Sequence, residues 1–343
     1  MEEALEHFVQ GSPTIVLFVM IAVSLLVLGK AADWLVDEAV LLSERSGIPK
    51  TIIGATIVSL GTTAPEAAVS VFAAIQGQPG LALGNAVGSI ICDTGLILGV
   101  ACLIAPLKLD RTIVNRQGWI QLGAAVALVA FCFPWSSPGS AFTQGGSLAQ
   151  WAGFAFLAAL GVYIWLSIRW AGKDSGLADE VEEHASSEST VLIVLKLIGA
   201  VAVVVVSARV LIPAVNEVAL RMNVPESIIA ATLVAFGTSL PELVTAVTAA
   251  RKGHGELAVG NIVGADILNV FFVAGAAAAV TPNGLTAGGH FFLVLFPIML
   301  LILVVFRVGI LLSGDHMKRP FGYVLLTAYA VYTVVSYLLP ASV

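Results

Sequence analysis

Long apolar runs, most of them 20 residues or more, alternate with short polar connections along the chain. About 20 apolar residues in a helix cross the ~30 Å hydrocarbon core of a bilayer, so each run predicts a membrane-spanning helix. Ten spans are predicted, five on either side of a polar break: 14–43, 50–75, 81–104, 113–133, 147–170, 191–221, 226–251, 257–280, 288–312 and 320–340. The pattern therefore predicts an all-α polytopic membrane protein.

The polar break between the fifth and sixth spans is rich in acidic residues and serines. Such a composition cannot bury enough apolar surface to fold, and it predicts a flexible, solvated linker. A regulatory cation site in this linker is the alternative interpretation. The chain is thus divided into a first five-helix repeat (1–171), an acidic cytoplasmic linker (172–190) and a second, inverted five-helix repeat (191–343).

Composition and charge support this interpretation and set the orientation. The 343 residues are 58% hydrophobic and 11% charged, with a mean hydropathy of +0.98, which excludes a soluble domain. The net charge of −6 is not informative about nucleic acid, but the sequence has no basic patch, so no nucleic-acid partner is expected. If the N-terminus is outside, the inner connections and adjacent span ends carry twelve Lys and Arg residues and the outer connections only Arg221. Cytoplasmic loops are enriched in positive residues, so both termini are predicted to lie outside.

A short polar motif recurs in the two halves of the chain. GTTAPE at 61–66 returns as GTSLPE at 237–242, 176 residues later, and residues 45–95 align with 221–271 without a gap. Each copy places a proline, which removes a helix hydrogen bond, inside a predicted span. Because each half has an odd number of spans, the second half enters the membrane inverted. Inverted repeats with interrupted helices and a binding site at the bilayer midplane are the architecture of secondary transporters.

The repeated segments carry polar residues at helical spacing. Three hydroxyl–carboxylate pairs lie four residues apart and so on one helix face: Thr62 with Glu66, Thr238 with Glu242, and Ser89 with Asp93. Ala265 and Asn269 occupy the positions that match the last pair. A charge at bilayer depth costs roughly 2.5–3.5 kcal/mol, so these acids are predicted to be functional. A cluster of hard oxygens suits Ca²⁺, Na⁺ or Mg²⁺.

The acids also explain how two cations can exclude each other. Glu66, Glu242 and Asp93 would repel one another when unloaded, and Ca²⁺ or several Na⁺ would neutralise them. Both loads together would overfill the site, and H⁺ is a further competitor. Glycines at 84, 88, 260 and 264, at four-residue spacing, predict close helix packing.

The paired GT[TS]xPE and GNxVG segments resemble the two α-repeats of the cation/calcium exchanger superfamily, which includes the prokaryotic sodium/calcium exchangers. The resemblance covers about 50 residues in each half. It implies that Glu66 and Glu242 coordinate Ca²⁺ and that Thr62 and Thr238 give it backbone oxygens. It also implies that the hydroxyls of Thr63, Ser239 and Ser89 help to bind Na⁺. Asp93 and Asn269 match the remaining acid and amide positions, in the third span of each half.

Two positions depart from the family pattern. Ala265 stands where a serine is usual, which removes one Na⁺ oxygen. Asp266 stands where an asparagine is common, and its equivalent in the first half is the apolar Ile90. Asp266 either adds a fourth carboxylate to the cluster, where it would be a natural proton carrier, or caps broken backbone. Both interpretations stay open at this point.

The resemblance implies an antiporter that exchanges cytoplasmic Ca²⁺ for external Na⁺ across a prokaryotic inner (plasma) membrane. Access would alternate as the first and sixth spans, 14–43 and 191–221, slide over a fixed core. Neither an enzymatic activity nor a resident cofactor is expected, and the chain is expected to function as a monomer in lipid. The alternatives are a Ca²⁺/H⁺ antiporter and, less favoured, a Ca²⁺-permeable channel.

Overall fold

The computed structural model describes residues 2–174, 189–222 and 235–338. Almost all of this is helical. Eleven helices follow one another: α1 (Glu2–Gly11), α2 (Thr14–Ser46), α3 (Lys50–Ile75), α4 (Pro79–Ile104), α5 (Arg111–Cys132), α6 (Gln150–Asp174), α7 (Thr190–Arg221), α8 (Leu240–Arg251), α9 (Gly255–Ala279), α10 (Phe291–Leu312) and α11 (Arg319–Leu338). A single helical turn, Ala235–Thr238, precedes α8, and a 3₁₀ turn, Pro138–Ser140, lies between α5 and α6.

Seven of these helices are long and apolar enough to cross a membrane: α2, α3, α4, α6, α7, α9 and α10. The prediction of a helical membrane protein is therefore confirmed. The predicted spans 113–133 and 320–340 coincide with α5 and α11, which are not among the seven, and the span 226–251 is described only from residue 235. The count of ten spans stays a prediction.

The segment predicted as a linker is partly helical at its edges. Helix α6 continues to Asp174, and α7 begins at Thr190. The side chain of Ser189 caps α7 by accepting a hydrogen bond from the Leu192 amide at 3.3 Å. Residues 175–188, where most of the acidic side chains fall, lie outside the described residues.

Wide π-helical turns interrupt the long helices. They occupy Gly54–Val58 in α3, Cys92–Ile97 in α4, Asn269–Ala274 in α9 and Phe291–Leu295 in α10. Such turns are rare, and they concentrate at functional sites because they disturb the regular hydrogen-bond ladder. The turns in α4 and α9 occupy nearly equivalent positions of the two sequence repeats, one residue out of register.

The two prolines of the repeated motif have different effects. Pro65 lies inside the continuous helix α3, whereas Pro241 is the second residue of α8, after a break at Ser239. Proline is well tolerated in the first turn of a helix, where its missing N–H would have no helical partner. Only the second copy of the motif therefore begins a new helix.

Four short strands join the two halves at their connections. They are β1 (Leu107–Lys108), β2 (Gly146–Leu148), β3 (Leu285–Ala287) and β4 (His316–Met317). Strand β1 pairs antiparallel with β4, and β2 pairs antiparallel with β3. Each pair thus links one connection of the first half with one of the second half.

Helix α9 is the most deeply buried of the seven long apolar helices, and every residue from Leu257 to Leu268 is buried. A Cβ atom on Gly260 would lie 2.3 Å from the Thr51 carbonyl oxygen, and one on Gly264 would lie 2.5 Å from the Ala55 backbone. The predicted close packing is confirmed for these two glycines. For Gly84 and Gly88 the equivalent neighbours, residues 227 and 231, fall outside the described residues.

Candidate cation-binding site

The two halves cross at the repeated motifs. The π-helical turn Cys92–Ile97 packs against α8, which carries Glu242. The equivalent turn Asn269–Ala274 packs against α3, which carries Glu66. Each motif glutamate is therefore approached by a distorted helix from the opposite half of the chain.

Glu66 is fully buried and is held by hydroxyl groups from both halves. Its Oε1 accepts hydrogen bonds from Ser89 Oγ at 2.8 Å and from Ser239 Oγ at 2.9 Å. The Asn269 amide also faces this carboxylate. Four of the predicted site residues, drawn from helices α3, α4 and α9 and from the break before α8, thus meet at one point.

Glu242 is likewise fully buried, and its donor comes from the first half. Its Oε1 accepts a hydrogen bond from Thr63 Oγ1 at 3.3 Å. Thr62 faces the same carboxylate, while its hydroxyl donates to the Ser59 carbonyl at 3.3 Å. The motif hydroxyls therefore act across the two halves as well as along their own helix.

The remaining predicted residues differ in how they contact the two glutamates. Asp93 is fully buried and interacts electrostatically with both glutamates. Neither oxygen of Asp93 has a hydrogen-bond partner among the described residues. Thr238 is partly exposed, and its hydroxyl donates to Asn85 Oδ1 at 3.4 Å rather than to a carboxylate. Asn85 also donates to Ser70 Oγ at 2.9 Å, so this amide joins α3, α4 and the turn before α8.

Asp266 forms a contact that the sequence did not predict. Its Oδ2 accepts hydrogen bonds from Thr94 Oγ1 and Gln121 Nε2, and all three side chains are buried. Asp266 therefore binds side chains of α4 and α5 rather than the broken backbone of α9. Gln121 lies in an apolar helix four residues after another buried amide, Gln117, and this spacing is the signal that would have revealed it.

Comparison with known proteins identifies the family of the chain. The sequence profile described as "Sodium/calcium exchanger protein" matches residues 16–169 and 192–338, most of both halves. The chain belongs to this exchanger family.

Several named relatives of this chain are archaeal and bacterial proteins. The sodium/calcium exchanger MaX1 of Methanosarcina acetivorans is 30% identical over 93% of this chain and 97% of the relative. The inner membrane protein YrbG of Escherichia coli is 33% identical over 77% of this chain and 80% of the relative. A putative antiporter, CaxA of Alkalimonas amylolytica, is 30% identical over 92% of this chain and 96% of the relative.

Solved structures of the sodium-calcium exchanger NCX_Mj share the fold of this family member. One has a TM-score of 0.75 at 24% identity and covers 94% of this chain and 99% of that chain. Another has a TM-score of 0.77 at 22% identity and covers 95% and 100%. The fold of the exchanger is therefore established across nearly the whole chain.

The exchanger site offers oxygen ligands of several kinds. Among the described residues, no three acidic, histidine or cysteine side chains lie close enough together to hold one metal ion. A cation bound between Glu66 and Glu242 would therefore also need hydroxyl, amide or backbone oxygens. Ser89, Ser239 and Thr63 supply hydroxyls at the two carboxylates. Such an all-oxygen set favours hard cations.

Proposed function

We propose that the chain exchanges Ca²⁺ for Na⁺ across the membrane by alternating access, with both ions bound between the repeated motifs. The observation that carries this proposal is the crossed hydrogen bonding of the two glutamates. Ser239 of the second half donates to Glu66, and Thr63 of the first half donates to Glu242. One site shared by both halves is what a transporter that opens alternately to either side requires.

The chemistry of the site supports competition between the two cations. The glutamates and Asp93 are buried together, where like charges repel strongly. Ca²⁺ or more than one Na⁺ would relieve this repulsion, using the carboxylates together with Asn269 and the motif hydroxyls. Occupancy by one kind of cation then excludes the other, and the two transport directions are coupled.

The contacts between connections support ten spans in two inverted repeats. That both termini lie outside is inferred from the distribution of the positive residues. In that topology β1 and β4 lie on the inner side and β2 and β3 on the outer side, as their pairing requires. Arg221, the one positive residue predicted outside, donates to Thr14 Oγ1 at 3.0 Å and to the Gln10 carbonyl at 3.0 Å. The end of α7 and the start of α2 would thus meet on the outer side.

Helices α2 and α7 are the proposed moving elements. They pack along each other over their length, and their outward faces expose apolar side chains such as Phe18, Leu26 and Leu195. A pair of helices with lipid on one side can slide past a rigid core with little loss of packed contacts. The core would be formed by α3, α4, α8 and α9, which carry the site residues.

We further propose that the protein works as a monomer in a prokaryotic inner membrane, without a resident cofactor and without enzymatic activity. Coupling to H⁺ is the second candidate, and the observation that favours it is the buried carboxyl group of Asp266 beside Ala265, which has no hydroxyl. A channel would need no coupled counter-ion at all. The coupling ion therefore separates the three mechanisms.

The deciding experiment is ⁴⁵Ca²⁺ uptake into proteoliposomes loaded with Na⁺, compared with vesicles that carry only a pH gradient. The proposal predicts saturable uptake driven by the outward Na⁺ gradient and abolished by Glu66→Gln or Glu242→Gln. Glu256→Gln, a partly buried acid at the start of α9, is the matched control. Uptake that follows the pH gradient and ignores Na⁺ would assign H⁺ as the coupling ion instead.

A further inference from the structure

The Asp266 carboxylate has hydrogen-bond donors that it does not share with Glu66 or Glu242. Asp266 on α9 is joined to Thr94 on α4 and to Gln121 on α5, and none of the three side chains is more than 3% exposed. Both donors bind the same oxygen, Oδ2. The other oxygen, Oδ1, has no hydrogen-bond partner among the described residues.

The same arrangement occurs at both glutamates of the proposed transport site. Oε1 of Glu66 accepts two hydroxyl hydrogen bonds, and Oε1 of Glu242 accepts one. In both residues Oε2 has no partner within the described ranges. Each of these carboxylates has one oxygen satisfied by side-chain donors and a second oxygen available to a cation.

The donors around Asp266 can also serve as ligands. A hydroxyl and a carboxamide each contain both a donor and an acceptor. Rotation of Thr94 and Gln121 would turn their oxygens toward a cation, whereas their hydrogens stabilise the carboxylate when no cation is bound. Gln117, one turn from Gln121 on the same face of α5, is 1% exposed, and neither amide atom has a partner in the described part of the chain. It offers a further oxygen.

The charge of Asp266 and its donors suits a monovalent cation. Asp266 supplies one negative charge, and the other groups are neutral, whereas protein Ca²⁺ sites usually combine several carboxylates. The helices packed against α9 carry further ionisable groups, among them Lys50 and Glu66 on α3, Cys92, Asp93 and Cys102 on α4, Arg111, Arg116 and Cys132 on α5, Tyr163 and Arg169 on α6, and Glu242 and Arg251 on α8. Of these, Glu66 and Asp93 interact electrostatically with Asp266. Neither of the two is hydrogen-bonded to Asp266 among the described residues.

We propose that Asp266, Thr94 and Gln121 bind one Na⁺ at a site separate from the one between Glu66 and Glu242. Thr94 follows Asp93 in the π-helical turn of α4, and Asp266 lies three residues before Asn269 on α9. A cation at Asp266 therefore fixes the same two distorted segments that shape the transport site. The inference deepens the proposed exchange function, but its binding test does not depend on transport.

The test is stabilisation of the purified protein by Na⁺, with choline as the reference cation, because a ligand that binds the folded state raises its unfolding midpoint. Glu66→Gln is expected to retain a Na⁺-dependent rise, and Glu66→Gln combined with Asp266→Asn is expected to lose it. Thr94→Val should raise the Na⁺ concentration for half-maximal stabilisation at least about tenfold, whereas Thr94→Ser should keep it near the wild-type value. Thr245→Val, a buried hydroxyl without a partner in the described residues, is the control.

Three results would overturn the Na⁺ site at Asp266. One is an unchanged Na⁺ response in the double variant, and another is equal loss in Thr94→Val and Thr94→Ser. The third is a response to pH alone, which would make Asp266 a proton site. In proteoliposomes, Asp266→Asn should also lower the number of Na⁺ exchanged per Ca²⁺ by about one. If the wild-type protein did not exchange Na⁺ for Ca²⁺ but was still stabilised by Na⁺, the proposed function would be refuted and the Na⁺ site at Asp266 would stand.

Discussion

Ser239 Oγ lies 2.9 Å from Glu66 Oε1, across 173 residues of sequence. The reciprocal contact joins Thr63 Oγ1 to Glu242 Oε1 at 3.3 Å across 179 residues. Each repeat therefore supplies a hydroxyl that donates to the buried carboxylate of the other repeat. The candidate site exists only when the two halves are assembled.

Replacement of Ser239 by alanine should weaken cation binding without unfolding the protein. The change removes one of two hydroxyl donors to a buried carboxylate, and a hydrogen bond to a charged group contributes about 1.5–3 kcal/mol. The Ca²⁺ concentration for half-maximal uptake should rise about tenfold or more. Ser167→Ala removes a buried hydroxyl on α6 that has no partner among the described residues, and it should leave uptake unchanged. Equal affinity in both variants would contradict the account.

Replacement of Gly264 by alanine should destabilise the contact between α9 and α3. The added Cβ would lie 2.5 Å from the backbone of Ala55 and 2.6 Å from Ser59 Oγ, so the helices must separate. Overpacking of this kind costs about 1–3 kcal/mol and should lower the thermal unfolding midpoint in detergent. Gly123→Ala on α5 is the control, because its Cβ would meet no described atom within 4 Å. Identical midpoints would refute the predicted contact.

Replacement of Lys252 by methionine should change the transport rate more than the ion affinity. Lys252 Nζ lies 2.8 Å from Asp37 Oδ1 and donates to the Asp33 carbonyl at 3.0 Å, which joins the connection before α9 to α2. Because this contact restrains α2, one of the proposed moving helices, its loss should make transport faster. Exposed ion pairs contribute at most about 1 kcal/mol, so the maximal rate should rise up to about fivefold. The Ca²⁺ concentration for half-maximal uptake should change less than twofold.

The effect of Lys252→Met should also depend on salt. High ionic strength screens exposed charges, so wild type and variant should converge there. Arg251→Met, the neighbouring cation at the end of α8, serves as the control at low salt. A change in affinity with no change in rate would show that the contact shapes the site rather than restrains α2.

His254, in the connection before α9, should make stability fall in mild acid. Burial and the nearby Lys50 ammonium, whose Nζ lies 3.4 Å from His254 Nδ1, lower its pKa below the ordinary value of 6.5. The unfolded chain then takes up the proton more readily than the folded one, so stability is lost as pH falls below about 6.5. His254→Gln should reduce the drop in unfolding midpoint between about pH 7 and pH 5, and an unchanged drop would contradict this assignment.

Much of the site could be predicted from the sequence because its residues recur at a fixed offset. Glu66 and Glu242 stand in the two copies of one motif, and the structure buries both with hydroxyls that were also predicted. The crossed pairing could not be predicted, since helical spacing places Thr62 and Glu66 on one face but does not show which helix lies opposite. That information comes only from the packing of the halves.

Other features leave too little signal in the sequence. Strands of two or three residues, such as Leu107–Lys108, have no periodicity, and π-helical turns such as Cys92–Ile97 follow the same apolar pattern as ordinary helix. The sequence places Gln117 and Gln121 on one face of α5 but does not show which residue of another helix they contact. The importance of Gln121 appears only when Asp266 on another helix is found beside it.

The most direct test of the central claim is equilibrium binding of ⁴⁵Ca²⁺ to the purified protein, with displacement by Na⁺. The account predicts one class of Ca²⁺ site that Na⁺ empties, and predicts that Glu66→Gln and Glu242→Gln each abolish binding while Glu256→Gln preserves it. Retained Ca²⁺ binding in either glutamate variant, or Ca²⁺ binding that Na⁺ does not displace, would show that the two repeats do not build one shared exchange site.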